Sequence, residues 1–208
     1  MKSIEIEKKV RLDFHQIQKI AQKARLVKEI QINDRYFDAS DYRYTTKNMW
    51  LRQREGSFEL KVGIKKHSGS IDMYEEVTDE KSILKYLGAD IDRNLLDTLS
   101  QKEISPFCSF TTYRKSYQLD ELNIDIDEAD FGDLRYRVAE IEIVVWDLKR
   151  VQDAEQKITQ FIKGMDIDGS IPVPAKLTYY LYCRRPEHYQ ALVDNKVIQP
   201  IIMECIQY

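Results

Sequence analysis

Glycine and proline are scarce in this chain, seven and five among 208 residues. No Gly-, Pro- or Ser-rich stretch, internal repeat or low-complexity tract marks a linker, so one domain over residues 1–208 is expected. Neither Gly-x-x-x-x-Gly-Lys-Ser/Thr nor Gly-x-Gly-x-x-Gly occurs, which excludes the familiar backbone cradles for phosphate. Cysteine is limited to Cys108, Cys183 and Cys205, an odd and widely spaced set without Cys-x-x-Cys. A disulfide framework is thereby excluded, and reduced thiols in a reducing compartment are expected. His15, His67 and His188 lie too far apart for metal spacing, and none neighbours Cys108 as a base. Long apolar runs are missing too: nothing approaches the ~20 residues of a membrane helix. The first residues reach Glu5 and Glu7 without a hydrophobic signal core, so a soluble cytoplasmic protein is expected. At a net charge of -3 there is no global basic field to recruit nucleic acid or an anionic membrane.

What the chain has is charge in alternation. Charged residues make up 32% of it and hydrophobic ones 43%, enough for a core. Glu5, Glu7 and Lys9 alternate with Ile4, Ile6 and Lys8, and at a period of two all three charges share one strand face. Trp50-Leu51-Arg52-Gln53-Arg54, Glu59-Leu60-Lys61, Asn123-Ile124-Asp125-Ile126-Asp127 and Glu140-Ile141-Glu142 repeat the pattern.

Strands are predicted at about Ser3–Leu12, Glu29–Asp38, Met49–Arg54, Ser57–Ile64, Met73–Val77, Ser109–Leu119, Leu122–Asp127 and Tyr136–Trp146. A first helix, Asp13–Ala24, carries an apolar stripe of Phe14, Ile17, Ile20, Ala21 and Ala24 behind an Asp13 cap. Further helices are expected from Thr78 to Gly88, over Ile91–Leu99, from Asp147 to about Lys163, from about Ala175, and after Pro186. Strands outnumber helices and follow one another as a meander, which favours an antiparallel sheet in an α+β fold.

Alternating charge ordinarily means one face in water. Here the opposite faces carry Ile4, Ile6, Ile124, Ile126, Ile141 and Ile143, which need covering, and the amphipathic helices can cover them. A barrel wrapped by helices would then have a charged lumen. Its acids would be Glu5, Glu7, Asp125, Asp127, Glu140 and Glu142, and its bases Lys9, Arg52, Arg54, Lys61 and Arg114. Hard carboxylate oxygens suit Mg²⁺ or Mn²⁺, and arginine forks match phosphate oxygens. A polyphosphate–metal complex fits both halves. Lys8 and Arg11 read as surface residues, His15 as a helix-surface residue, Lys65–Lys66 and His67 as a hairpin tip, and Cys108 as a buried thiol.

From Glu5-x-Glu7-x-Lys9 onward the chain resembles the CYTH superfamily, the triphosphate tunnel metalloenzymes, and within it the thiamine triphosphatase subfamily. The likeness continues through Tyr36-Phe37-Asp38, Trp50 to Glu55, Phe58 to Lys61, Arg114, Asp125 to Gly132, Glu140 to Glu142 and Pro174-Ala175-Lys176-Leu177. It implies an eight-stranded antiparallel β-barrel with flanking helices, the triphosphate tunnel. Lys9, Arg52, Arg54, Lys61, Arg114 and Lys176 would hold the triphosphate. Glu5, Glu7, Asp125, Glu140 and Glu142 would hold one or two Mg²⁺ ions, with Mn²⁺ as the alternative metal. Catalysis would fall to Glu140, Glu142, Asp125 and Lys61, and Trp50 would stack on the thiamine heterocycle through cation–π attraction. The bland reading of Trp50 is a core tryptophan. Asp127 shares the face of Asp125 and would orient a ligand or hold a metal-bound water.

The reaction so implied is metal-dependent hydrolysis of thiamine triphosphate to thiamine diphosphate and phosphate, by a monomer whose only partner is a small-molecule triphosphate. Inorganic tripolyphosphatase and class IV-type adenylate cyclase are the alternatives within the fold. A polyphosphate-binding module and a β-rich interaction domain are those outside enzymology. Asp133 to Arg137 looks longer and more basic than the subfamily pattern, which predicts an altered tunnel entrance, and the tail after Arg185 reads as specific to this chain. Both bear on the organic group and not on the triphosphate chemistry.

Overall fold

A computed structural model describes residues 3–64 and 71–201. Lys65, Lys66, His67 and Cys205, and with them the expected hairpin tip, lie outside the described residues. Eight antiparallel strands close into a barrel: β1 (Ser3–Val10), β2 (Arg25–Asp38), β3 (Met49–Arg54), β4 (Ser57–Gly63), β5 (Asp72–Val77), β6 (Ser105–Leu119), β7 (Leu122–Asp130) and β8 (Arg135–Val145). Around the wall the order is β1-β5-β4-β3-β2-β6-β7-β8, with β8 returning to β1. Hairpins make most of the pairings. Three join distant strands: β1 with β5, β1 with β8, and β2 with β6.

The register fixes which residues face inward. Glu7 pairs with Glu142 and Lys9 with Glu140, Asp125 with Glu140, Arg114 with Asp127, Tyr36 with Arg52, Trp50 with Lys61, and Tyr74 with Glu5. Directly paired residues share a face, so one alternating set runs continuously around the lumen. The other set is the apolar outside. Ile6, Val10, Ile124, Ile141 and Ile143 are buried with Ile20 of α1 (Phe14–Lys23) and Ala154, Ile158 and Ile162 of α4 (Val151–Gly164). Full burial of one such isoleucine stabilises by about 1.5–3 kcal/mol. Leu51, Leu60 and Val77 are covered in the same way by α2 (Glu80–Tyr86) and α3 (Leu95–Gln101).

Asp79 caps α2, and the helix ends where Gly88 takes φ +65° and the Ala89 N–H returns to the Leu84 carbonyl. The last helices, α5 (Lys176–Arg184) and α6 (Pro186–Asp194), put Leu177, Leu181, Tyr189 and Leu192 against the inward-facing Phe110 and Ala129. One stretch of the lumen is thus filled with apolar and aromatic groups, and the rest is lined by charge. Among the described residues no helix is long and apolar enough to cross a membrane.

Several expectations need correction. The helix predicted over Ile91–Leu99 starts at Leu95, because the Asn94 side chain accepts from the Leu96 and Asp97 N–H groups and caps it there. Strand β2 starts at Arg25 rather than Glu29, its exposed first residues pairing with the end of β6. Strand β6 starts at Ser105 rather than Ser109, since Pro106 sits at the register shift between Tyr36 and Phe37, where a missing N–H is tolerated. In α1 only Ile20 is fully buried, while Phe14 is 74% exposed and Ala21 also faces solvent. Lys8 is no surface residue: the outer face of β1 is roofed by α4, and Lys8 is 5% exposed. Arg135 and Arg137 point away from the lumen and pair with Glu128 and Asp130.

Candidate active site

A cavity of about 750 Å³ occupies the charged part of the lumen. Glu5, Glu7 and Lys9 reach it from β1, Trp50, Arg52 and Arg54 from β3, Lys61 from β4, Arg114 from β6, and Glu140 and Glu142 from β8. Lys176 enters from the first turn of α5. Of the residues singled out by sequence, Asp125 and Asp127 do not line the cavity, although both side chains pair with Arg114 behind it. Cys108 is buried and His15 exposed, as expected.

Each cation is held by carboxylates. Lys61 pairs with Glu5 and lies 3.6 Å from Glu7 and 3.5 Å from Glu76. Lys9 pairs with Glu7 and lies 3.4 Å from Asp72. The guanidinium of Arg52 meets Glu59 at 2.6 Å and Glu76 at 3.6 Å. That of Arg54 donates Nε and Nη2 to the two oxygens of Asp34, at 2.8 and 3.0 Å. Arg114 pairs with Asp125, reaches Asp127 through Nε and Nη2 at 2.7 Å each, and meets Glu140 at 3.0 Å. Lys176 pairs with Asp127 and lies 3.2 Å from Glu140.

The five acids expected to bind metal therefore form two groups. Asp125 and Glu140 are turned toward Arg114, and Glu140 toward Lys176 as well. Glu5, Glu7 and Glu142 instead present oxygens that all lie within 4.8 Å of one another. Burial, with the Glu5 carboxylate alongside, pushes Glu142 up to about 9. Burial likewise raises Glu7 against the pull of Lys9 and Lys61. For Glu5 burial is outweighed by Lys61, which holds it down at about 2. Glu140 is held well below the carboxylate range: burial opposes ionisation, but Lys176 and Arg114 prevail. Three crowded carboxylates offering hard oxygens fit a divalent cation such as Mg²⁺.

Sequence reading missed several lumen residues. Asp34 sits in the unpatterned run Asn33-Asp34-Arg35, and only the β2–β3 register reveals that it faces Arg54. Asp72, Tyr74 and Glu76 alternate on β5 and continue the wall beside β1. That alternation was a usable signal, diluted by Glu75 on the other face. Trp50 is half-buried, packed on one side against the Phe110–Leu177 cluster and lining the cavity on the other. It is neither a core tryptophan nor a solvent one.

A profile of the CYTH domain matches residues 3–172. The chain belongs to the CYTH domain family. Two primate proteins named thiamine-triphosphatase are similar across most of its length. The one from Macaca fascicularis is 32% identical and the one from Homo sapiens 31%, each over 185 residues, spanning 79% of this chain and 78% of the relative. A solved structure from Pyrococcus horikoshii superposes with a TM-score of 0.57 at 17% identity, covering 79% of this chain and 91% of that one. At that identity the likeness speaks for the barrel fold alone.

Proposed function

We propose that this CYTH protein hydrolyses the terminal phosphoanhydride of thiamine triphosphate, giving thiamine diphosphate and phosphate. One observation carries the reading: a single cavity brings six cations, a three-carboxylate cluster and a half-buried indole together inside a closed barrel. The kinship to thiamine-triphosphatases supports the choice of headgroup.

Each part has a role. Lys9, Arg52, Arg54, Lys61, Arg114 and Lys176 bind the triphosphate oxygens and stabilise the charge that develops as the bridging P–O bond breaks. Carboxylates and cations nearly balance along the cavity, so a divalent ion on the acid cluster would add positive charge for a polyanion. Glu5, Glu7 and Glu142 would hold Mg²⁺, with Mn²⁺ as the substitute; Asp125 and Glu140 are the remaining acids. When bound, the ion would supply charge neutralisation and a lowered pKa for water. Glu140 fixes Arg114 and Lys176 together at the reacting end. Trp50 offers its face to the thiazolium cation. A water oxygen bonds to the terminal phosphorus as the bridging P–O bond breaks, thiamine diphosphate leaves with the bridging oxygen, and the water's proton passes to solvent.

Phosphate release with Mg²⁺ from thiamine triphosphate, tripolyphosphate and ATP at equal micromolar concentrations tests this. The expected result is a kcat/KM at least about a hundredfold higher for thiamine triphosphate, equivalent to about 2.7 kcal/mol. A preference for tripolyphosphate would keep the tunnel and discard the thiamine platform.

A further inference from the structure

Trp50 does not hold its orientation by packing alone. Its indole Nε1–H donates to Asn48 Oδ1 at 2.7 Å. Asn48 follows the short 3₁₀ turn Thr45–Lys47 in the left-handed conformation, φ 59° and ψ 38°, which asparagine tolerates better than most residues. Its backbone is tied at both ends. The Asn48 N–H donates to the Thr45 carbonyl at 2.9 Å, and its own carbonyl accepts from the Gly63 N–H at 2.8 Å. The side-chain amide then lies in space that only glycine at position 63 leaves open. A Cβ on Gly63 would fall 1.7 Å from Asn48 Nδ2 and 2.2 Å from Cγ. The acceptor for the indole is therefore fixed by the β3–β4 ladder rather than by a mobile side chain.

We infer that Asn48 is a positioning residue that holds the Trp50 ring in place for an aromatic headgroup, and that Gly63 is the vacancy that admits it. The inference rests on the proposed function, since a platform matters only for a substrate with a ring to stack. An indole with a fixed N–H partner loses little rotational freedom on binding, so the stacking energy is retained. The six cations bond to carboxylates while Asn48 bonds to the indole, so the two sets of contacts are separate. Asn48 thus bears on which triphosphate is chosen and not on how the phosphates are held.

Two variants separate positioning from mere folding. Asn48→Gly keeps the left-handed backbone and removes the acceptor; Asn48→Asp keeps an acceptor oxygen. Asn48→Gly should lower kcat/KM for thiamine triphosphate about fivefold, through KM, as expected for one lost hydrogen bond. Tripolyphosphate hydrolysis should stay within about twofold, and Asn48→Asp should restore the thiamine substrate. Equal losses on both substrates, or no loss on either, would overturn the inference.

A second readout is independent of turnover. The chain has two tryptophans, and Trp146 is 61% exposed, so Trp146→Phe leaves Trp50 as the sole reporter. Time-resolved anisotropy should show faster local depolarisation in Asn48→Gly than in Asn48→Asp. If the unaltered protein shows no preference for thiamine triphosphate, the functional reading fails and anisotropy alone decides. Unchanged depolarisation then rejects the positioning role, and faster depolarisation upholds it.

Discussion

Arg54 lies in a two-pronged grip with Asp34, whose side chain is 1% exposed at the β2–β3 boundary. The Arg54 side chain, at 22% exposure, still reaches the cavity. A buried acid thus pre-orients a cation that would otherwise sample many rotamers, and Arg54 in turn keeps Asp34 ionised below its usual range despite burial. Arg54→Lys keeps the charge but cannot reproduce the fork. It should lower kcat/KM about tenfold or more. Steady-state kinetics returning an unchanged kcat/KM would remove Arg54 from the site.

Glu140 joins Arg114 to Lys176, so neutralising it loosens both cations at once. Glu140→Gln should cut kcat by about a hundredfold, the scale of losing one aimed electrostatic group. Circular dichroism should show the fold intact. A folded variant with near-normal kcat would exclude the assignment.

Metal binding is expected at Glu5, Glu7 and Glu142. Mg²⁺ at a hundred times its Kd should raise unfolding stability by about 2.7 kcal/mol. Calorimetry should register this as a higher Tm for the unaltered protein and a much smaller rise for Glu7→Gln. An equal rise in both would place the ion elsewhere.

His188 supplies a pH dependence remote from the tunnel. Its ring is fully buried, stacked on Tyr42 at 4.0 Å and hydrogen-bonded to Thr45 Oγ1 through Nε2 at 2.7 Å. Burial, with Arg185 nearby, lowers it from the ordinary 6.5 to about 4. The unfolded chain therefore binds the extra proton first. This contribution is intact above pH 6.5 and is lost as pH falls toward 4. Between pH 7 and pH 5 the loss should be about 2 kcal/mol. Urea titrations of the unaltered protein and His188→Gln at both pH values check it: the variant should show a slope shallower by that amount.

Much of the barrel was legible because its face pattern is local. A period of two in Glu5-Ile6-Glu7 or Arg52-Gln53-Arg54 states which side each residue takes, and the isoleucines behind the acids state that the other side is covered. Closure itself is not local. No pattern in β1 says that β5 and β8 flank it, and so the division of the acids into a Glu5–Glu7–Glu142 group and an Arg114-facing group was out of reach. Asp34 and Asn48 escaped for a related reason. Each acts on a residue already recognised, Arg54 and Trp50, from a stretch with no periodicity of its own.

The pairing of β1 with β8 joins residues more than 130 positions apart in the chain, Glu5 opposite Val144 and Glu7 opposite Glu142. Such a contact is slow to form, because the loop it closes costs entropy before any contact compensates. The acid cluster straddles that last junction. An incompletely closed barrel would therefore have its cations and its indole platform but no place for a divalent ion. Recovery of activity during refolding would then time the sealing of the barrel rather than the formation of its strands, and a far-ultraviolet signal complete before activity returns would display the interval between the two.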